Sequence, residues 1–220
     1  LFESSPWPHL NAEANAMTQV ELCNVALAHL GEARIAAMGD DTVTARACSL
    51  HYGPTRTEVL RSHRWNFAIG RATLTAAAAP AFGWARAFSL PTDCLRALEV
   101  NDNEVGDVIS EAWAIEGRQV LTNAEAVRLV YVKDIGDAAL TDPLFAAAFS
   151  LKLAAYLSES IRGSTGKTAE LLQLYDARTA PLARRVDANE GRRRKGLLPL
   201  NSFLVRARGE WRGNGRLRPW

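Results

Sequence analysis

Cysteine is scarce in this chain of 220 residues: Cys23, Cys48 and Cys94 are all it has. Three scattered thiols cannot build a disulfide framework or a thiolate metal cluster, and they fit a reducing compartment. Histidine is nearly as rare. His9, His29, His51 and His63 form no HExxH pair or other compact ligand set, so a zinc site, which needs three or four converging ligands, is not expected. Long apolar runs are missing too. The most apolar stretch, Asp142 to Ile161, is interrupted by Lys152 and Glu159, and membrane insertion is not expected of it. No basic-then-apolar signal segment opens the printed sequence.

Motifs for chemistry are absent or incomplete. GSTGKT at Gly163–Thr168 ends like a phosphate loop, but Ile161 stands where the first glycine belongs, and a helical pattern rather than a strand precedes it. It reads as a turn between helices. Cys94 has Asp93 beside it and no histidine nearby to activate it. Glu99, Asp102, Glu104 and Asp107 sit in a turn-rich setting that suits a solvated loop. Neither catalysis nor a cofactor is expected from these residues.

Charge is present, and it is segregated. The net charge of +2 combines −6 over Leu1–Ala183 with +8 over Arg184–Trp220. The C-terminal end is therefore a basic arm on an acidic body. The arm, residues 191–220, mixes Arg192, Arg193, Arg194, Lys195, Arg206 and Arg208 with the apolar anchors Phe203, Leu204, Trp211 and Trp220. Basic side chains can dock electrostatically while the anchors supply dry contact, so these ten residues are the candidate contacts to a partner protein or a neighbouring copy.

The periodicities divide the rest. Residues 1–16, with Pro6 and Pro8 and no sustained pattern, read as an irregular leader. The body spans 17–190. Thr18 and Glu21 make a capping box for a helix carrying Val20, Cys23, Leu27 and Leu30, closed by Gly31. A second helical region spans Asp41–His63, capped by Asp40 or Asp41, with Ala45, Cys48, Tyr52, Val59 and Leu60 inward and a kink or break at Gly53-Pro54. Trp65 and Phe67 can anchor the helical body to the next part of the chain. Residues 82–133 change to short period-two segments, WARAFSL, CLRALEV, AWAIEG, RQVLT and AVRLVYV, which predict a mostly antiparallel β-rich subdomain inserted between helices.

Asp142 then caps, and Pro143 opens, a helix that is apolar nearly all round and so belongs at the centre of the fold. A partner helix over Lys167–Asn189 should pack against it, with Leu171, Leu174, Tyr175 and Leu182 inward and Pro181 dividing it. The fold class is α+β: a mainly helical body, an inserted β-rich subdomain and an extended basic arm.

Four strings, MTQVELCNVALAHLGEARI, RSHRWNFAIGRATL, AFSLPTDCLRALEV and TDPLFAAAFSLKLAAYLSESIRG, together resemble the tail tubular protein A family, the head-to-tail adaptors of tailed bacteriophages. The resemblance runs from about Met17 to Arg206. It implies a ring-forming virion component, commonly a homo-dodecamer, between the portal protein and the tail nozzle or next tail ring. Genomic DNA would pass through its centre, and assembly would take place in the host cytoplasm. It brings no catalytic motif and no cofactor. Two other readings stand beside it: a nucleic-acid-binding virion assembly protein whose RRRK run meets phosphates, and a phosphate-handling enzyme using Lys167 and Thr168.

Overall fold

Thr18 and Glu21 close the expected capping box: the Thr18 hydroxyl accepts from the Glu21 amide, and the Glu21 carboxylate accepts from the Thr18 amide at 2.6 Å. Helix α1 (Gln19–Leu30) starts there and stops where Gly31 turns left-handed at φ 67°. The computed structural model describes residues 17–100 and 112–190. The leader 1–16 and the arm 191–220 lie outside the described residues.

Helix α2 (Val43–Ser62) is capped by Thr42, whose hydroxyl accepts from the Ala45 amide. The expected caps are occupied elsewhere: Asp40 accepts from the Ala36 and Ala37 amides and Asp41 pairs with Arg46. Gly53-Pro54 does not divide the helix. The carbonyl that loses a donor to Pro54 belongs to Leu50, which is 68% exposed, so water can satisfy it.

Helix α3 (Pro143–Arg162) begins as its sequence foretells, with Asp142 accepting from the Leu144 and Phe145 amides. Such a cap stabilises a helix by about 1 kcal/mol. It packs against α1, α2, α4 (Thr165–Leu174) and α5 (Ala180–Glu190), and eleven of its residues are buried. By length and composition α3 could cross a membrane, with a mean hydropathy of 1.3; in this fold it is the helix the others cover. Its N-terminal end meets an aromatic cluster: Phe145 lies edge-on to Trp65 at 5.1 Å and to Phe67 at 5.0 Å, and Phe149 edge-on to Tyr52 at 5.1 Å.

The Lys167–Asn189 segment is divided, as Pro181 suggests, by a π-helical turn over Tyr175–Thr179 in which the Ala180 amide donates to the Tyr175 carbonyl. The wide turn accommodates a proline whose ring would clash with a regular helical carbonyl. It also rotates α5 relative to α4. Leu171 and Tyr175 are buried as expected, but Leu174 and Leu182 are 42% and 49% exposed, and Ala180, Ala183 and Asp187 face inward instead.

The β-rich part is inserted between α2 and α3, and among the described residues its strand pairings are antiparallel, but it is wider than 82–133, since its strands run from Ile69 to Lys133. One sheet has the order β1 (Ile69–Thr73), β7 (Arg128–Lys133), β4 (Cys94–Val100). The other has the order β2 (Ala76–Ala77), β3 (Arg86–Ser89), β6 (Gln119–Thr122), β5 (Trp113–Glu116). Strand β1 escaped the sequence pattern because Gly70 and Ala72 blur its alternation. Gly70 faces Tyr131 across the β1–β7 ladder, and a Cβ there would stand 2.6 Å from the Tyr131 ring.

The three-stranded sheet serves two cores, which explains why β7 is apolar on both faces. Val127, Leu129 and Tyr131 join Leu74, Phe88, Cys94 and Val120 in a small core between the sheets, while Val132 belongs to the large helical core. On β4, Cys94, Ala97 and Val100 face the small core and Leu95 and Leu98 the large one. Register shifts at Cys94/Arg96 and Ala97/Glu99 accommodate that spacing of three.

Two substitutions probe this packing. Ala155 is fully buried in α3, so Ala155→Trp should prevent recovery of a folded monomer, as read by circular dichroism and gel filtration. Gly70→Ala should lower stability by about 1–3 kcal/mol in urea denaturation through overpacking against Tyr131.

Candidate functional site at the junction of helices and sheet

Where α2 ends, the chain must turn into the sheet, and the turn is held by a carboxylate from the far end of the chain. Asp187, 6% exposed on α5, accepts from His63 Nε2 at 3.0 Å and from the Asn66 amide at 2.8 Å. The Asn66 side-chain amide in turn donates to the Asp187 carbonyl. A buried carboxylate is costly unless it is hydrogen-bonded, and these donors offset that cost. Between His63 and Asn66 sits Trp65, almost fully buried, donating from Nε1 to the Val59 carbonyl at 3.0 Å and stacked edge-on with His63 at 4.8 Å.

Arginines of α2, of the crossover and of α5 are tied to neighbouring elements. Arg184, one helical turn before Asp187, donates to Ser62 Oγ at 3.1 Å, and Ser62 donates to the Val59 carbonyl. Arg61 donates to the Leu95 carbonyl, Arg64 pairs with Glu99, and Arg56 pairs with Asp134 at 3.0 Å. Burial pushes the His63 pKa below its ordinary value; Asp187 opposes this, and Arg184 and Arg96 add to it.

The described part of the chain ends at Glu190, within one helical turn of the clamp. The clamp thus fixes the helix from which the basic arm continues. The candidate contacts themselves, Arg192, Arg193, Arg194, Lys195, Phe203, Leu204, Arg206, Arg208, Trp211 and Trp220, lie outside the described residues.

No protein-family model and no curated protein matches this chain.

The other residues singled out in the sequence are dispersed. His51 meets Ser160 at 2.6 Å and stacks on Tyr156 at 6.3 Å, away from His63 and its Asp187. Tyr156 donates to Glu58, which also pairs with Lys152 at 2.7 Å; burial and the Glu58 carboxylate push the Tyr156 pKa up to about 12. Cys94 lies in the small core, where burial raises its thiol pKa. Asp93 accepts from the Tyr131 hydroxyl at 3.2 Å and lies near Lys133. His9, Asp102, Glu104 and Asp107 lie outside the described residues.

GSTGKT forms the link between α3 and α4. Gly163 is the left-handed cap, Ser164 caps α4, Lys167 pairs with Glu170 at 3.0 Å, and the Thr168 hydroxyl donates to the Ala155 and Ser164 carbonyls. Among the described residues no group of three or more His, Cys, Asp and Glu side chains could hold a metal ion.

The junction was not legible beforehand. His63 and Asp187 are separated by 124 positions, and the only signal was the density of arginine, histidine and tryptophan in RSHRW. The lowered His63 pKa carries a pH dependence with a definite sign. The unfolded chain takes up a proton near pH 6.5 and the folded chain only at lower pH. Stability should therefore fall as pH drops from about 7 through the window below 6.5, and level off below the folded pKa. Thermal denaturation between pH 7.5 and 5.5 checks this, and His63→Gln should flatten the slope. His29, whose pKa burial and Lys167 also lower, supplies the remainder.

Proposed function

We propose that this chain is a structural head-to-tail adaptor of a tailed bacteriophage. In that role twelve copies form a ring between the portal and the tail nozzle or next tail ring, and DNA passes through the centre. The observation that carries the reading is where the four family-like strings lie. They supply α1, the Arg61–Leu74 crossover with its Trp65 anchor, the β3–β4 segment, and α3 with its cap and stop. These pieces are joined through one large core and the small core beside it, so the resemblance follows the frame of the fold.

The surface is compatible with an assembling subunit. Val43, Leu50, Phe82, Leu140, Leu174 and Leu182 are large apolar side chains exposed in the single chain. In a closed ring, unlike faces meet repeatedly and can cover such residues without generating an open fibre. Basic residues and apolar anchors in the arm suit docking on the portal or on an adjacent copy, with the acidic body left to face the passage. A conduit has no need of tight, sequence-specific contacts to the DNA that moves through it.

Deleting Gly191–Trp220 should weaken binding to purified portal rings by tenfold or more, on the order expected when several anchoring contacts are lost. Unchanged affinity and complex geometry would remove the arm from the interface. The larger claim is checked by reconstructing the virion neck by cryo-electron microscopy, where a ring of this chain between portal and tail is expected. Salt-dependent DNA binding that disappears with Arg192–Lys195 would favour the nucleic-acid-binding reading instead.

A further inference from the structure

Away from the junction, α2 and α3 meet along a polar seam. Lys152, Tyr156 and Ser160 follow one another at intervals of four on α3 and so share one face. Two residues of α2, seven positions apart, answer them. Glu58 takes both the Lys152 ammonium at 2.7 Å and the Tyr156 hydroxyl at 2.9 Å, and His51 Nε2 meets Ser160 Oγ at 2.6 Å. The Lys152 ammonium also lies over the Tyr175 ring, 5.0 Å from its centroid.

The two ends of this seam differ in chemistry. Around Glu58 every group is bound to its neighbour, which fixes α2 against α3. At the other end stands a hydroxyl beside an imidazole, with Ser160 exposed and His51 half-buried. The His51 ring is held on one side by the Tyr156 ring, 6.3 Å away and inclined by 25°, and Tyr156 is itself tethered by Glu58. A nucleophile, a base within hydrogen-bond reach and a third group that orients the base are thus joined by contact. With the ring neutral and its proton on Nδ1, Nε2 accepts from the Ser160 hydroxyl.

The geometry points to Ser160 as an acyl-accepting serine, with His51 as its general base, that takes small acyl groups from activated esters. The hydroxyl oxygen adds to the ester carbonyl as its proton passes to His51 Nε2. The bond from the carbonyl carbon to the leaving oxygen then breaks, and the imidazolium returns the proton to that oxygen. An acyl-serine and an alcohol or phenol result, with nothing oxidised or reduced. Ser160 lies within a helical ladder, and the Gly163 amide that closes the helix is used by the Glu159 carbonyl. The oxyanion therefore meets water rather than fixed donors. One such donor is worth roughly 10²–10³ in rate, so Ser160 should be acylated once and slowly rather than turn over. This inference rests on the seam and not on the adaptor reading, and it holds or fails without a virion.

The experiment uses the full chain and p-nitrophenyl acetate. Release of p-nitrophenolate is followed by absorbance, and the acetyl group is located by peptide mass spectrometry. Ser160 should gain one acetyl group, while Ser89, equally exposed on β3, should gain none. His51→Gln still offers an oxygen to the hydroxyl but cannot act as the base, and should slow acetylation of Ser160 about 100-fold, the lower end of what general-base catalysis contributes. Ser160→Ala should remove the serine-bound acetyl group. Both substitutions lie at the surface end of the seam, and unchanged thermal melts separate lost chemistry from lost folding. An acetyl group found on lysine or histidine but not on Ser160, acetylation of Ser89 to the same extent, or an undiminished rate in His51→Gln with its melt unchanged would each overturn the assignment.

Discussion

A helix of twenty residues that is apolar on nearly every side is stable in water only if other elements cover it, and α3 imposes that requirement on the whole chain. Its alanines, Ala146, Ala148, Ala154 and Ala155, leave room for backbones to come close, so α1, α2, α4 and α5 can all reach it. Phe145 and Phe149 then fill the space toward Trp65, Phe67 and Tyr52. Truncating one such buried phenylalanine typically costs about 3–5 kcal/mol, a large share of the stability of a domain this size.

Covering α3 creates a second problem, because the chain leaves the helices at Ser62 and returns only at Pro143. The three-stranded sheet solves it by serving two cores at once. Val132 faces the helices, while Leu129 and Tyr131 face the other sheet. The crossover into this sheet is secured by Trp65 in the core and by Asp187 reaching back from α5. One carboxylate thereby links the exit from α2 to the helix that leads into the basic arm. Burial depresses the His63 pKa against the pull of Asp187, and Arg184 and Arg96 add to that effect.

Much of this was legible from local rules. The Thr18 capping box, the Gly31 stop, and the Asp142-Pro143 start act within one turn of helix, and the structure reproduces them. The five short segments from WARAFSL to AVRLVYV became β3 to β7, since alternation alone identifies a half-buried strand. Position along a helix was less secure. Leu174 and Leu182 share a face only if the helix keeps one period, and the π-turn before Pro181 breaks that period, turning Ala183 and Asp187 inward instead. Pro54 does not divide its helix: the helix continues because the carbonyl it leaves without a donor belongs to an exposed residue.

The sequence by itself determined the main helical stretches and the strands β3 to β7, where most helices start and stop, and that the helix after Asp142 lies at the centre, because caps, periods and apolar content act over neighbouring residues. It also determined that positive charge collects after Arg184. Only the tertiary structure decided that His63 would meet Asp187, that Gly70 would lie against Tyr131, and that β4 would shift register on either side of Arg96 and Ala97. Each of these depends on how two distant pieces of chain settle against a shared core, and the geometry of that settling is not written in either piece alone.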